Sequence, residues 1–418
     1  MSLGQIRTGE TAAPTAARAR SKGRLRRFST SAHRWIGLVA GAYLVLAGLT
    51  GSVLAFWQDI DEWLNAETML VEPPSADAAY RPLAEIFAAA REHMPPDVAP
   101  GSKFPIFMKF PSHRRGAVWV AYITGLPDKG EKPDLSKIEG RTIFVDPYRA
   151  KVTGERLQNK MSDPFAQPFV YLVMSLHCAL LLEPFGRIAI AAVGMLLLVS
   201  TFVGIALWWP SRSKWKTAIG VKSRAAPERL VYDIHKTVGA TLGIVLLVSI
   251  FSGVYMNFKA PWRALVSLVS PVHELPMKAR SEAAQGRAPL GPDAIAAVAD
   301  GIFPGGYLQM LQFPVGPEGI FVVGKHADDE VNKAGGGRIT IIDQYSGRTL
   351  ASQDPHVFTA GERFLEWQYP LHSGEAFGDA GRAFMAVFGV VPLVLYVTGF
   401  IRWRQKRRAR KRMEQRRA

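Results

Sequence analysis

The 418-residue sequence predicts an integral membrane protein: an α-helical four-span bundle made by tandem duplication, with an α+β domain outside the membrane in each half. Three observations predict it. The stretch His33–Phe56 is answered by His235–Phe258: a basic residue follows each His (Arg34, Lys236), and Gly recurs four, eight and eighteen residues on (Gly37, Gly41, Gly51; Gly239, Gly243, Gly253). Four apolar runs, about 35–57, 188–209, 236–257 and 383–402, are each long enough to cross a bilayer. Positive charge gathers beside them: residues 1–34, 210–231 and 402–418 carry 24 of the 51 Lys and Arg, against Glu10, Glu228 and Glu414 alone. Short basic segments flanking spans mark the cytoplasmic face, so both termini and the middle loop are expected inside. The net charge of +16 is accordingly assigned to the lipid bilayer, with no nucleic-acid partner expected.

Residues 1–32 form a basic cytoplasmic tail without periodicity, expected to be disordered. The first span is 33–57; its apolar run exceeds a cleaved signal's and no small-x-small site precedes Trp57. Residues 58–167 make the first outer domain. There RPLAEIFAAAREHMP reads as an amphipathic helix, KFPIFMKF and AVWVAYIT as strands, and RTIFVDPYRAKVTGE as strand–turn–strand. Segment 168–209 holds an apolar outer-face helix carrying His177, a break at Pro184 and Gly186, and the second span. A basic loop, 210–231, leads to the third span, 232–258. The second outer domain, 259–366, has GPDAIAAVADGIF as its helix, YLQMLQF and GIFVVGK as strands, and GRITIIDQYSGRTLAS as strand–turn–strand. Segment 367–404 carries His372 and the last span, and 405–418 is a basic tail.

The second members of the repeat match as closely. His177 and His372 are each followed by Gly-Arg at nine and ten residues (Gly186-Arg187, Gly381-Arg382). Gly comes again at seventeen and twenty-seven (Gly194, Gly204; Gly389, Gly399), and Trp at thirty-one (Trp208, Trp403). Asp146-Pro147-Tyr148 is answered by Asp343-Gln344-Tyr345. Each half begins and ends inside, so the halves are parallel repeats about an axis along the membrane normal.

This symmetry sorts the histidines. His33 and His235 open outward-going spans, and His177 and His372 precede inward-going ones. Two imidazoles at one level are what a six-coordinate b-type haem needs, so one haem is expected between His33 and His235 and a second between His177 and His372. Arg34, Lys236, Arg187 and Arg382 are placed to meet haem propionates. Cys178 is the only cysteine, which excludes C-x-x-C-H attachment, so both haem b groups would be noncovalent. The bland alternatives are interfacial histidines and glycines that serve helix packing. A zinc or copper site would want carboxylate or thiolate ligands that are lacking. Asp233 and Glu375 are read as supporting or surface groups. His93, His113, His273, His326 and His356 show no pairing between halves and are expected at solvated surface.

The H-x3-G-x3-G span, the TFVGIALWWP exit and the YPLHSGEAFG…VTGFIRW stretch resemble the PepSY-associated transmembrane helix family over about residues 30–406. The resemblance implies a bacterial inner-membrane protein like the single-component siderophore reductases, with PepSY-like periplasmic domains and His33, His177, His235 and His372 as haem ligands. It implies an oxidoreductase that passes electrons outward to a ferric siderophore or other periplasmic acceptor. Only a short tail follows Trp403, without G-x-G-x-x-G, so a separate electron donor is expected, quinol or a cytoplasmic reductase. Trp367 and Tyr369 are candidates for the acceptor's docking cleft. The alternatives are a membrane-anchored PepSY binding or regulatory module, and an iron or iron-chelate transporter.

Overall fold

The structure is a computed structural model that describes residues 13–417 except 129, 133 and 336. The first twelve residues of the basic tail lie outside the described residues. The rest of that tail is not disordered, as the sequence suggested, but is the start of one long helix, α1 (Ala13–Leu54). Ala and Arg dominate it and are strong helix formers, so a helix nucleated in the span extends into them. Further helices include α2 (Trp57–Leu64), α3 (Leu83–Arg91), α4 (Phe169–Ala179), α5 (Phe185–Trp208), α6 (Pro227–Thr241) and α7 (Gly243–Asn257). They continue with α8 (Pro292–Ile302), α9 (Ala360–Glu366), α10 (Gln368–Ser373), α11 (Gly378–Phe388) and α12 (Val391–Gln415).

Two compact units result. A helix unit takes residues up to 49, 191–254 and 388–418, and a sheet unit takes 50–190 and 255–387.

Three helical stretches, Gly23–Leu54, Phe185–Trp208 and Glu375–Gln415, are long and apolar enough to cross a membrane. The third expected span departs from the straight helix its apolar run suggests: α6 and α7 meet at 61°, and only the pair together makes a fourth span. The break falls at Leu242, between Gly239 and Gly243, where helix propensity is poor. Within the helix unit small residues let backbones approach. A Cβ at Gly48 would lie 2.4 Å from the Gly389 carbonyl oxygen, and one at Gly194 would lie 2.5 Å from Val254.

In the sheet unit, α4 stops at Ala179 because Leu180 and Leu181 turn into the left-handed region, at φ 52° and 60°. Gly186 then lets α5 begin against the Ala179 carbonyl, and Gly381 does the same against Gly374. The recurring Gly-Arg after each His is thus a turn requirement.

Eight strands follow the sequence expectation: β1 (Ile106–Lys109), β2 (Val118–Thr124), β3 (Glu139–Asp146), β4 (Lys151–Lys160), β5 (Tyr307–Gln312), β6 (Ile320–His326), β7 (Arg338–Asp343) and β8 (Thr349–Gln353). The two outer domains predicted at 58–167 and 259–366 share one antiparallel sheet, ordered β4-β3-β2-β1-β5-β6-β7-β8. It is continuous where β1 pairs with β5, Met108 facing Leu311. Each set of four strands would otherwise leave β1 or β5 as an open edge, and the pairing removes both. One face is sealed by α3 and α8, whose Ile86, Ala90, Ile295 and Ala299 join Met108, Val120, Leu311 and Val323 in a single core. Asp293 of α8 accepts hydrogen bonds from the backbone N–H groups of Leu83 (2.7 Å) and Ala84 (2.9 Å), satisfying donors that α3 cannot satisfy itself.

The matched Asp-x-Tyr motifs fold alike. Asp146 and Asp343 each accept from the N–H two residues on, at 2.8 and 2.9 Å. Tyr148 donates its hydroxyl to the Arg114 carbonyl and Tyr345 to that of Pro317, both at 2.8 Å.

Candidate functional site

Each sequence-matched pair of histidines comes together. The His33 and His235 rings lie 6.3 Å apart, centroid to centroid, at 70°. The His177 and His372 rings lie 6.0 Å apart at 68°. A metal–imidazole bond of about 2.0–2.1 Å, with a nitrogen about 1.1–1.2 Å from its ring centre, puts two trans imidazoles about 6.2–6.6 Å apart. Both separations are close to what one metal ion between two rings demands.

The rings of His33, His235 and His177 are held by one device. A glycine on a neighbouring helix supplies a seat: a Cβ at Gly204 would lie 2.8 Å from His33 Cε1, one at Gly399 would lie 3.4 Å from His235 Cε1, and one at Gly51 would lie 3.3 Å from His177 Cε1. A hydroxyl close in sequence to that glycine then engages Nδ1. His33 Nδ1–H donates to the Ser200 carbonyl (2.8 Å) with Ser200 Oγ at 3.1 Å. His235 Nδ1–H donates to the Leu395 carbonyl (3.1 Å) and to Thr398 Oγ1 (2.9 Å). His177 Nδ1 is 2.9 Å from Thr50 Oγ1. An Nδ1–H committed to a carbonyl leaves the lone pair on Nε2, the tautomer a metal requires. Sequence reasoning named the glycines but missed Thr50, Ser200 and Thr398. The signal was present: a hydroxyl residue stands within one helical turn of each seat glycine, as in Thr50-Gly51 and Thr398-Gly399.

The inner pair lines a cavity of about 470 Å³ with Gly37, Gly41, Gly239, Tyr396, Trp208 and Trp403, a volume typical of small-molecule sites. Nothing lies within 4 Å of where a Gly37 Cβ would be, so here the missing side chain keeps space open. The lining also includes Arg26, Arg34, Lys236, Arg402 and Lys406. Lys236 donates to Asp233 Oδ1 (3.2 Å) and the Gly220 carbonyl (3.1 Å); Arg229 donates to Asp233 Oδ2 (3.0 Å). Asp233 is fully buried and so supports this wall of the site.

At the outer pair the two arginines are already engaged. Arg187 pairs with Glu183 at 2.6 Å. Arg382 pairs with Asp59 and with Asp379, donates to the Ala55 carbonyl (2.9 Å) and stacks 4.4 Å over Phe56. Glu375 Oε1 lies 3.5 Å from the Tyr369 hydroxyl, and Trp367 is exposed. Cys178 is half-buried against Met174.

Among the described residues no group of three or more His, Cys, Asp or Glu is positioned to hold a metal ion. Neither pair therefore has protein ligands for a tetrahedral site. A planar tetradentate group that brings its own four donors is what two opposed imidazoles can complete. Of the five histidines expected at the surface, His326 is the exception. It is buried in β6, every position of which is covered, with Nδ1 2.7 Å from a buried Glu330 carboxylate.

The family profile described as PepSY-associated TM region matches residues 30–406. A comparison with curated proteins finds no match.

Proposed function

The chain belongs to the PepSY-associated transmembrane family, a membrane protein with a helical region and an α+β domain, and from that premise we propose that it is a di-haem electron-transfer protein. Its substrate would be a ferric siderophore or other ferric chelate outside the cytoplasmic membrane of a bacterium. The observation that carries this reading is the pairing of four histidines at 6.3 and 6.0 Å, each pair drawn from matching positions of two repeats. The repeat itself we read as a tandem duplication, supported by the equivalent Asp-x-Tyr turns and the mirrored strand order.

Haem b, when bound, supplies a one-electron Fe(III)/Fe(II) couple at each pair. The chain's residues do the rest. The glycine seats fix the ring planes of His33, His235 and His177, the backbone carbonyls at Nδ1 fix the tautomer of His33 and His235, and Arg34, with Lys236 beside its partner Asp233, would neutralise propionates at the inner pair. The charge of both termini and of the 210–231 loop supports a cytoplasmic position for them. With the cytoplasm negative, outward electron flow then gains about 2.3 kcal/mol per 100 mV crossed. One electron reduces chelated Fe(III) to Fe(II), which hard oxygen ligands hold less tightly, and the iron is released. Quinol or a cytoplasmic reductase is the donor. No general base or nucleophile is called for.

The test is a haem count and redox titration on purified protein, followed by ferric chelates as oxidants. Two haems per chain and oxidation of the reduced protein by a ferric chelate are expected; a colourless protein that cannot take up haem ends the proposal. A second reading, passage of iron or its chelate through the helices, draws on the 61° break between α6 and α7, since transport sites are built at broken helices. Iron uptake by vesicles holding a haem-free protein would favour it.

A further inference from the structure

The second face of the sheet carries its own smaller clusters, Met69 and Phe144 in one and Val322 and Ile341 in the other, and between them the cover is thinner. On β1, Ile106 and Met108 are fully buried under α3 and α8, whereas Phe107 and Lys109, which point the other way, are only half-buried. Across this second face Lys109 has Met310 of β5 on one side and Trp119 of β2 on the other, with the buried Phe144 of β3 beyond.

Two cations stand on that face, and their treatment differs. Arg156 is over the rings of Phe144 (5.1 Å) and Tyr171 (5.6 Å), and its charge is met by the buried Asp61 in two hydrogen bonds of 2.9 and 2.8 Å. Lys109 Nζ is held between the rings of Trp57 (5.3 Å) and Trp119 (5.0 Å). Among the described residues its ammonium has no carboxylate, hydroxyl or carbonyl partner. An ammonium carries three donors, and two indole faces offset only part of its lost hydration. Burial draws the Lys109 pKa down, which marks a cation short of a counter-charge. The indoles also tie it to the outer histidines. Trp57 meets Tyr171 edge-on at 6.4 Å, and Tyr171 shares α4 with His177. Trp57 also bonds the hydroxyl of Tyr369, three residues before His372.

We propose that Lys109, clasped by Trp57 and Trp119, is the receptor for a small anionic ferric chelate, taking an anionic oxygen of the chelate on its ammonium and the ligand's flat groups on the indoles. The identity of the ligand rests on the reductase reading above; the existence of an anion site rests on the uncompensated lysine alone. The charge selects against cationic chelates and favours catecholate or carboxylate types.

Full-length protein in a neutral detergent is titrated calorimetrically with gallium(III) tris-catecholate, a redox-inert trianion, and with a neutral gallium(III) tris-hydroxamate. The trianion should bind. Lys109→Gln should weaken it by about tenfold or more through loss of a charge in a half-dehydrated site, leave the neutral chelate unchanged, and be rescued by Lys109→Arg. Trp119→Phe, which keeps the cation, should weaken binding less. Equal binding of the trianion by Lys109→Gln would overturn the proposal, as would preference of the wild type for short-chain phosphatidylglycerol, which would assign the cation to lipid. Because no electron moves in this assay, its failure beside intact ferric reduction sinks the anion site alone. Trianion binding by a protein without haem sinks only the reductase reading.

Discussion

The two histidine pairs have almost the same separation and tilt, yet the charge around them is arranged differently, although a carboxylate, Asp233, holds Lys236 at the inner pair too. At the inner pair both Nδ1 atoms reach a backbone carbonyl as well as a hydroxyl, and five Lys and Arg line the adjoining cavity. At the outer pair Arg187 and Arg382 match each other in sequence, and carboxylates hold both. The comparison separates two roles that sequence alone had merged. Ring placement is set by glycine seats and Nδ1 partners, seen at both rings of the inner pair and at His177 of the outer. Charge is set locally, and there the two pairs differ.

The largest test of this separation removes a ring. His235→Ala should take haem from two per chain to one, counted as pyridine haemochrome, and His33→Ala should do the same, because each imidazole supplies half of one axial set. Double loss from either variant would show that the pairs are not independent. Next in size are the seats. Gly204→Ala puts a methyl 2.8 Å from His33 Cε1, inside any tolerable contact, whereas Gly399→Ala meets His235 at 3.4 Å. The first should cost the inner site at least about tenfold in haem affinity by displacing the ring, and the second much less. Equal effects would mean the seats are not what positions the rings.

The hydroxyls divide by whether a carbonyl stands behind them. Ser200→Ala leaves the Ser200 carbonyl to accept from His33, so haem affinity at the inner pair should fall by less than tenfold. Thr50→Ala takes away the hydroxyl at His177 Nδ1, and the outer pair should lose about 10- to 100-fold. Haem-transfer rates to an apo-acceptor would rank the two variants.

Much of this was legible in the sequence because it is written locally. Strands such as AVWVAYIT alternate with period two, the amphipathic helices carry their own periodicity, and a duplication lets each residue be checked against its twin. What escaped was non-local or relational. Nothing in Met108 or Leu311 says that β1 and β5 will share a ladder, since the alternation of each is satisfied by any antiparallel neighbour. His326 looked like a surface residue because the sequence shows one strand at a time, not the layers covering both faces of β6. Arg187 and Arg382 were matched by position, but their partners Glu183 and Asp59 come from the turn before α5 and from α2, which the match does not register.

The smallest effect concerns protons in the sheet unit. Glu366, at the end of α9, has its carboxyl pushed up to about 7, first by burial. The Glu330 charge adds to this, while a hydrogen bond with Asn332 and the charge of Lys259 oppose it. A carboxyl whose folded pKa lies above its ordinary 4.5 folds more readily when protonated. Its contribution is therefore fully present below about 4.5, declines as pH rises through 4.5 to 7, and is a constant penalty above. Glu366→Gln should raise the Tm of the sheet unit by a few degrees at pH 8 and leave it nearly unchanged at pH 4.5. Glu330, whose charge acts on Glu366, is itself paired with His326 and Arg338, so the wild-type minus variant difference, not the wild-type curve, isolates Glu366. A difference that stays flat between pH 4.5 and 8 would show that Glu366 is ionised in the folded protein throughout, with Asn332 and Lys259 outweighing its burial.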